Sequence, residues 1–184
     1  MRGAIKWAVI VSAPLWSAAP LPAHEPAGAT DAAGCSAFTL NLGRELAAMK
    51  RQALLFNASA DPKVNPVRLK EGQHVAATLL PQGSVAFAAP PGRQRIAENA
   101  TAGLLFFKTG AAGHYRISLT SRHWIDVLDA GKAIDSLSHE GRSGCDLLHK
   151  VVEFQLPANR ELIIQLSGDT AATVDVLVTA VAKE

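Results

Sequence analysis

The sequence predicts a mainly β protein: an antiparallel two-sheet sandwich, jelly-roll-like, with one N-terminal helix. Three observations predict it. From Asn57 onward, apolar residues recur at a period of two in short runs. Turn signals rich in Gly, Pro, Asp and Asn separate those runs, and only one stretch carries a helical period. Many short strands with no long helices between them suit two sheets that bury one face each against the other. Doubly wound and helical-bundle folds find little support in this pattern.

Residues 1–23 come first. Arg2 and Lys6 precede the apolar run Trp7–Trp16, and Leu21-Pro-Ala23 offers a small residue for cleavage. That is the layout of a secretory signal peptide cut after Ala23. The run falls short of the roughly 20 residues of a membrane-spanning helix, and Pro14 interrupts it. The expected location is therefore the bacterial periplasm or the exterior, with no transmembrane anchor after processing. Residues 24–34 (HEPAGATDAAG) have no period and read as a flexible lead-in. Residues 35–184 are of a size for a single domain.

Within that domain, Leu42, Leu46, Met49, Ala53 and Phe56 recur at three- and four-residue steps, which predicts a helix near 43–56 with Arg44, Lys50 and Arg51 off its apolar face. Strands are expected at 67–69, 75–79, 85–87, 103–107, 115–119, 124–128, 151–156, 162–166 and 174–178. Turns are expected at Pro81-Gln-Gly83, Pro90-Pro-Gly92, Gly110–Gly113, Asp129-Ala-Gly131, Gly141–Gly144, Pro157-Ala-Asn159 and Gly168-Asp169.

Charge excludes one class of partner. The full chain has 18 Lys+Arg against 16 Asp+Glu, and loss of Arg2 and Lys6 with the signal leaves the two signs equal. With no basic cluster interleaved with aromatics, nucleic acid is not an expected partner. Cys35 and Cys145 are the two cysteines, and an exported chain with an even count pairs them. A loop on the order of 100 residues would then be closed, which the chain-entropy model values at up to ~4.7 kcal/mol.

Several stretches resemble an uncharacterised group of small exported proteobacterial proteins: Gly113–Leu119 (GHYRISL), Trp124–Val127 (WIDV), Gly144-Cys145, Lys150–Phe154 (KVVEF) and Leu162–Gly168 (LIIQLSG). Near the start of the expected mature chain, Cys35, Phe38 and Arg44-Glu45 match that group's cysteine, aromatic and Arg-Glu signature. The C-terminal half is more distantly similar to the bacterial prepeptidase C-terminal β-sandwich domains, accessory modules of secreted enzymes. The resemblance implies the fold and the compartment and carries over no catalytic residue.

No Gly-rich phosphate loop, Gly-x-Ser-x-Gly elbow, His-Glu-x-x-His or Cys-x-x-Cys occurs. Three other constellations invite chemistry. His139, Glu140, Asp146, His149 and Glu153 hold the residue types of a non-haem iron site, yet His149 and Glu153 on one strand would stand roughly 13 Å apart. Asp126, Asp129 and Asp135 surround a Gly-containing turn but lack the Asp-x-Asp-x-Asp-Gly spacing of a calcium loop. His24, if it begins the mature chain, offers an amine and an imidazole to copper. Against these stands an exported, non-enzymatic binding module whose partner is an envelope protein or small ligand. Its expected contact residues are Tyr115 and Trp124 with the adjoining His114 and His123.

Overall fold

A computed structural model describes residues 34–64, 68–93 and 95–182. The signal, most of the lead-in and His24 lie outside the described residues. After helix α1 (Gly43–Met49) come strands β1 (Leu54–Asn57), β2 (Arg68–Leu69), β3 (Val75–Thr78), β4 (Leu80–Pro81), β5 (Thr101–Lys108) and β6 (Gly113–Leu119). β7 (Trp124–Asp129), β8 (Lys132–Ile134), β9 (Ser136–Gly141), β10 (Lys150–Leu156), β11 (Glu161–Asp169) and β12 (Thr173–Ala180) complete the chain.

The sandwich is as the alternation predicts. One sheet runs β1-β3-β12-β6-β10-β9, the other β2-β5-β11-β7-β8 with β4 also against β5. Most pairs are antiparallel, but β1–β3 and β2–β5 are parallel, so both sheets are mixed. The inner faces meet in one core that includes Val75, Ile117, Leu119, Val127, Phe154, Ile164, Leu166 and Val176. At about 25 cal/mol per Å² of apolar surface removed from water, this cluster supplies the main drive for pairing the sheets.

Two smaller cores lie on the outer faces. Val85, Ala102, Leu104 and Phe106 form one outside the second sheet. β5 is thus buried on both sides, which explains its unbroken apolar run. Cys35, Phe38, Leu42, Ala48, Met49, Leu148, Val151 and Leu177 form the other, where the segment before β1 covers the first sheet.

Three expectations are corrected. The helix stops at Met49 rather than running to Phe56, because Leu54–Asn57 joins the ladder beside β3 with Leu54 opposite Val75 and Phe56 opposite Ala77. Sheet hydrogen bonds there override a helical spacing that continued by coincidence. Residues 85–87 are not a strand: they follow a 3-10 turn at Gln82–Ser84, and their alternation serves the outer core instead. Residues 136–141 are a strand rather than part of a loop; nearly all are exposed, so no apolar alternation announces them. By contrast, the Asp129-Ala-Gly131 hairpin forms as expected, with Ala130 and Gly131 at φ 49° and 81°, the left-handed pair that a two-residue β-turn needs.

Candidate functional site

Cys35, Phe38, Arg44 and Glu45 belong to a clasp over the first sheet. Cys35 and Cys145 are joined by a disulfide. Gly34 must be glycine there, since a Cβ would sit 1.9 Å from the Gly144 carbonyl oxygen. Arg142 lies over the Phe38 ring at 5.9 Å and donates to the Ala37 carbonyl at 2.9 Å. Thr39 donates its N–H to Glu140 at 2.9 Å, and its hydroxyl donates to the same carboxylate.

Under α1 the clasp becomes ionic. Glu45, 3 % exposed, accepts from the Thr179 hydroxyl at 2.7 Å and lies 3.5 Å from Arg116. Arg116 donates to Glu153 at 2.8 Å and to the Asn41 carbonyl at 2.8 Å. Burial pushes the Glu153 carboxyl up, but hydrogen bonds from Ser138 and Arg116 and the nearby His114 and Arg116 charges outweigh it and hold the group below its usual range. One guanidinium thus serves two carboxylates from different elements. This network fastens the helix, and Glu45 is buried because it falls on the helix face that packs down.

Elsewhere the expected contact residues part company. Tyr115 is 2 % exposed, packs edge-on against Phe107 and donates its hydroxyl to the Ala111 carbonyl at 2.8 Å. His123 is fully buried. Both are therefore buried, although Tyr115 still lines a surface cavity of about 400 Å³ together with His114. His114 stands on the outer face of the first sheet, 3.5 Å from Glu153. Trp124 alone of the four opens widely to solvent, at 40 % exposure.

Around His123 sit the residue types of a hydrolytic triad without its wiring. Ser121 and Asp169 both approach Nδ1, at 2.7 and 3.9 Å, while Thr101 meets Nε2 at 3.0 Å. Thr101 directs its own proton to the Ala171 carbonyl at 2.7 Å, so it accepts from Nε2–H, and Nδ1 accepts from Ser121. A triad needs nucleophile and acid on opposite nitrogens and an accessible nucleophile. Here Ser121 is 7 % exposed, and the imidazole is a neutral internal brace. Burial lowers its affinity for a proton, against the opposing pull of Asp169.

One of several surface cavities, and the one at Trp124, is a slot of about 50 Å³ lined by Trp124, Ile125, Ser136, His139, Lys150 and Val152. It opens where β8 pairs only with Val127–Asp129, which leaves the first half of β7 without a strand neighbour on that side among the described residues. Ile125 and Val152 come from the inner core and form an apolar floor. Lys150 shares its strand face with Val152 and Phe154, so its stem runs between the sheets. Its ammonium bonds the carbonyls of Arg122 at 3.3 Å and His123 at 2.9 Å, and lies 5.9 Å from the Trp124 ring.

Arg93 reaches the same Arg122 carbonyl at 3.4 Å. Two cations therefore converge on one oxygen, and neither has a carboxylate ion-pair partner among the described residues. Burial, then the Arg93 charge, lowers the Lys150 pKa, with Asp169 opposing. Burial and the Arg122 and Lys150 charges lower that of His149 as well. On the far edge, the Trp124 indole N–H donates to Asp126 at 2.8 Å, and the Gly92 backbone donates to that carboxylate at 3.1 Å. A side chain at Gly92 would meet the indole nitrogen at 2.9 Å, so the loop can grip the tryptophan edge only as glycine.

No group of three His, Cys, Asp or Glu converges among the described residues. His139 lines the slot, His149 is half-buried with its backbone bonded to Leu119 and Arg142, and both thiols are in the disulfide. Asp126 serves Trp124 and Asp129 pairs with Arg160 at 2.7 Å, so the acids near that turn do not share one site. No described helix is long and apolar enough to cross a membrane. Compared with known proteins, the chain matches no family model, no curated protein and no solved structure.

Proposed function

We propose that the chain is an exported, non-enzymatic β-sandwich module of the bacterial envelope that binds through the Trp124 slot. One observation carries this reading: an exposed tryptophan stands beside Lys150 over an apolar floor, and Lys150 and Arg93, which share the Arg122 carbonyl, have no acid partner among the described residues. Exposed aromatic surface next to cations that lack a carboxylate partner among the described residues suits recognition better than packing. Strand ends hold the slot, so little ordering free energy is spent on binding. Export rests on the basic-apolar-small layout of residues 1–23, and the Cys35–Cys145 bond accords with an oxidising compartment.

Osmotic-shock fractionation of the native cells tests export, and co-sedimentation of the chain with isolated envelopes tests binding. The expected result is a periplasmic protein beginning at His24, with envelope retention that Trp124→Ala abolishes. Recovery in the cytosol with residues 1–23 intact, or retention indifferent to Trp124→Ala, contradicts the proposal.

A further inference from the structure

We infer that the Trp124 slot takes a small organic carboxylate whose apolar body lies on the tryptophan. This rests on the slot being a binding site and adds the chemical class of its ligand. Size comes first. A slot of about 50 Å³ has room for roughly three or four heavy atoms, at about 10–15 Å³ for each water-sized group. The inserted end is thus a carboxylate with a single methylene, while the remainder stays outside against Trp124.

Charge and donor count select the acid. The Lys150 ammonium has three N–H groups, and two are engaged by the Arg122 and His123 carbonyls. One donor remains, beside the Arg93 guanidinium that shares the Arg122 oxygen. A singly charged, planar carboxylate matches one ammonium N–H beside a guanidinium fork. Burial and the Arg93 charge disfavour the Lys150 ammonium, with Asp169 opposing, and an anion bound beside it offsets that cost. His139 and Ser136 at the mouth add polar contacts, and Ile125 and Val152 exclude water from the inserted methylene.

Phenylacetate is the probe, because its CH2–COO− end has four heavy atoms and its ring can stack on Trp124. Phenylacetamide is its neutral match, and cellobiose is an uncharged ligand that also favours aromatic platforms. The full chain has Trp7, Trp16 and Trp124, so the fluorescence difference between the chain and its Trp124→Phe variant isolates the site. The expected result is saturable quenching by phenylacetate with affinity on the order of millimolar. The amide should bind about 10-fold more weakly, as should the acid to Arg93→Ala, a loop variant that leaves both sheets intact.

Amide binding as tight as the acid, or quenching unchanged by Trp124→Phe, overturns the carboxylate assignment. If cellobiose alone perturbs Trp124, the ligand class is wrong and the slot is still a binding site. If none of the three perturbs it, both readings fall.

Discussion

Lys150, at the start of β10 in one sheet, donates its ammonium to the main-chain carbonyl of His123 at 2.9 Å, at the threshold of β7 in the other. A lysine that begins on the core-facing parity thereby ties the open end of the sandwich and places its charge at the slot. Lys150→Met should lower the unfolding free energy by about 2 kcal/mol, the scale of a hydrogen bond to a charged donor. Urea denaturation reads the loss, and Lys150→Arg should recover part of it.

Removing the disulfide should loosen the clasp before the sandwich. Cys35 and Cys145 are 110 residues apart, and the double alanine variant should lose about 2–4 kcal/mol. Limited proteolysis should then cut first between the clasp helix and β1, near Arg51, while β5 to β12 stay protected. Cleavage of the variant no faster than of the native chain would contradict the clasp.

Arg116 is the keystone of the ionic layer. Arg116→Met strands the Glu45 and Glu153 carboxylates under α1 and should cost about 3–5 kcal/mol, as breaking one member of a buried ionic group does. Arg116→Lys keeps the charge but not the planar fork, so its cost should be intermediate. Thermal denaturation of the two variants checks the order.

Acid should weaken the fold from about pH 6.5 downward. An unfolded histidine takes up a proton near 6.5, whereas buried His123 resists until lower pH. In that window the unfolded chain binds more protons, so stability falls with falling pH and is flat in this respect above it. His149 shifts the same way. The Asp169 carboxyl is pushed up by burial but held below its usual range by N–H donors from Thr170 and Arg122 and by the His123 and Arg122 charges, so it adds a loss at lower pH still. His123→Gln should flatten, without abolishing, the slope of denaturation midpoint against pH between 5 and 6.5.

Among the described residues, β1 is a bare sheet edge. Leu54 and Leu55 are 49 % and 86 % exposed on a terminal strand that lacks the charges and prolines with which sheets blunt their edges. Leu55→Lys should reduce self-association at high concentration in light scattering while leaving the denaturation midpoint within about 0.5 kcal/mol.

The strands that pack on both sides or alternate cleanly were legible: residues 103–107, 115–119, 124–128, 151–156, 162–166 and 174–178 all fall within β5, β6, β7, β10, β11 and β12. The cysteine pairing was legible from the even count and the expected compartment. Edge elements were not, because β1, β8 and β9 are specified by the neighbour that pairs with them rather than by their own burial. Of the contact residues, Trp124 is exposed, whereas Tyr115 and His123 carry polar atoms satisfied internally and so pack inside. Lys150 had a signal that went unused: its parity with Val152 and Phe154 put a cation on the core face, which demands acceptors or a ligand. Arg93 had none, since only the folded chain brings it to the Arg122 carbonyl.

The central claim is that recognition occurs at the Trp124 slot. Two-dimensional 15N NMR of the folded chain, titrated with size-fractionated periplasmic extract, tests it most directly. The account predicts that the Trp124 indole and the backbone signals of Arg93, His139 and Lys150 shift together, while those of Phe38, Leu55 and Tyr115 stay fixed. Shifts confined to the clasp or to β1, or no shift with any fraction, would contradict it.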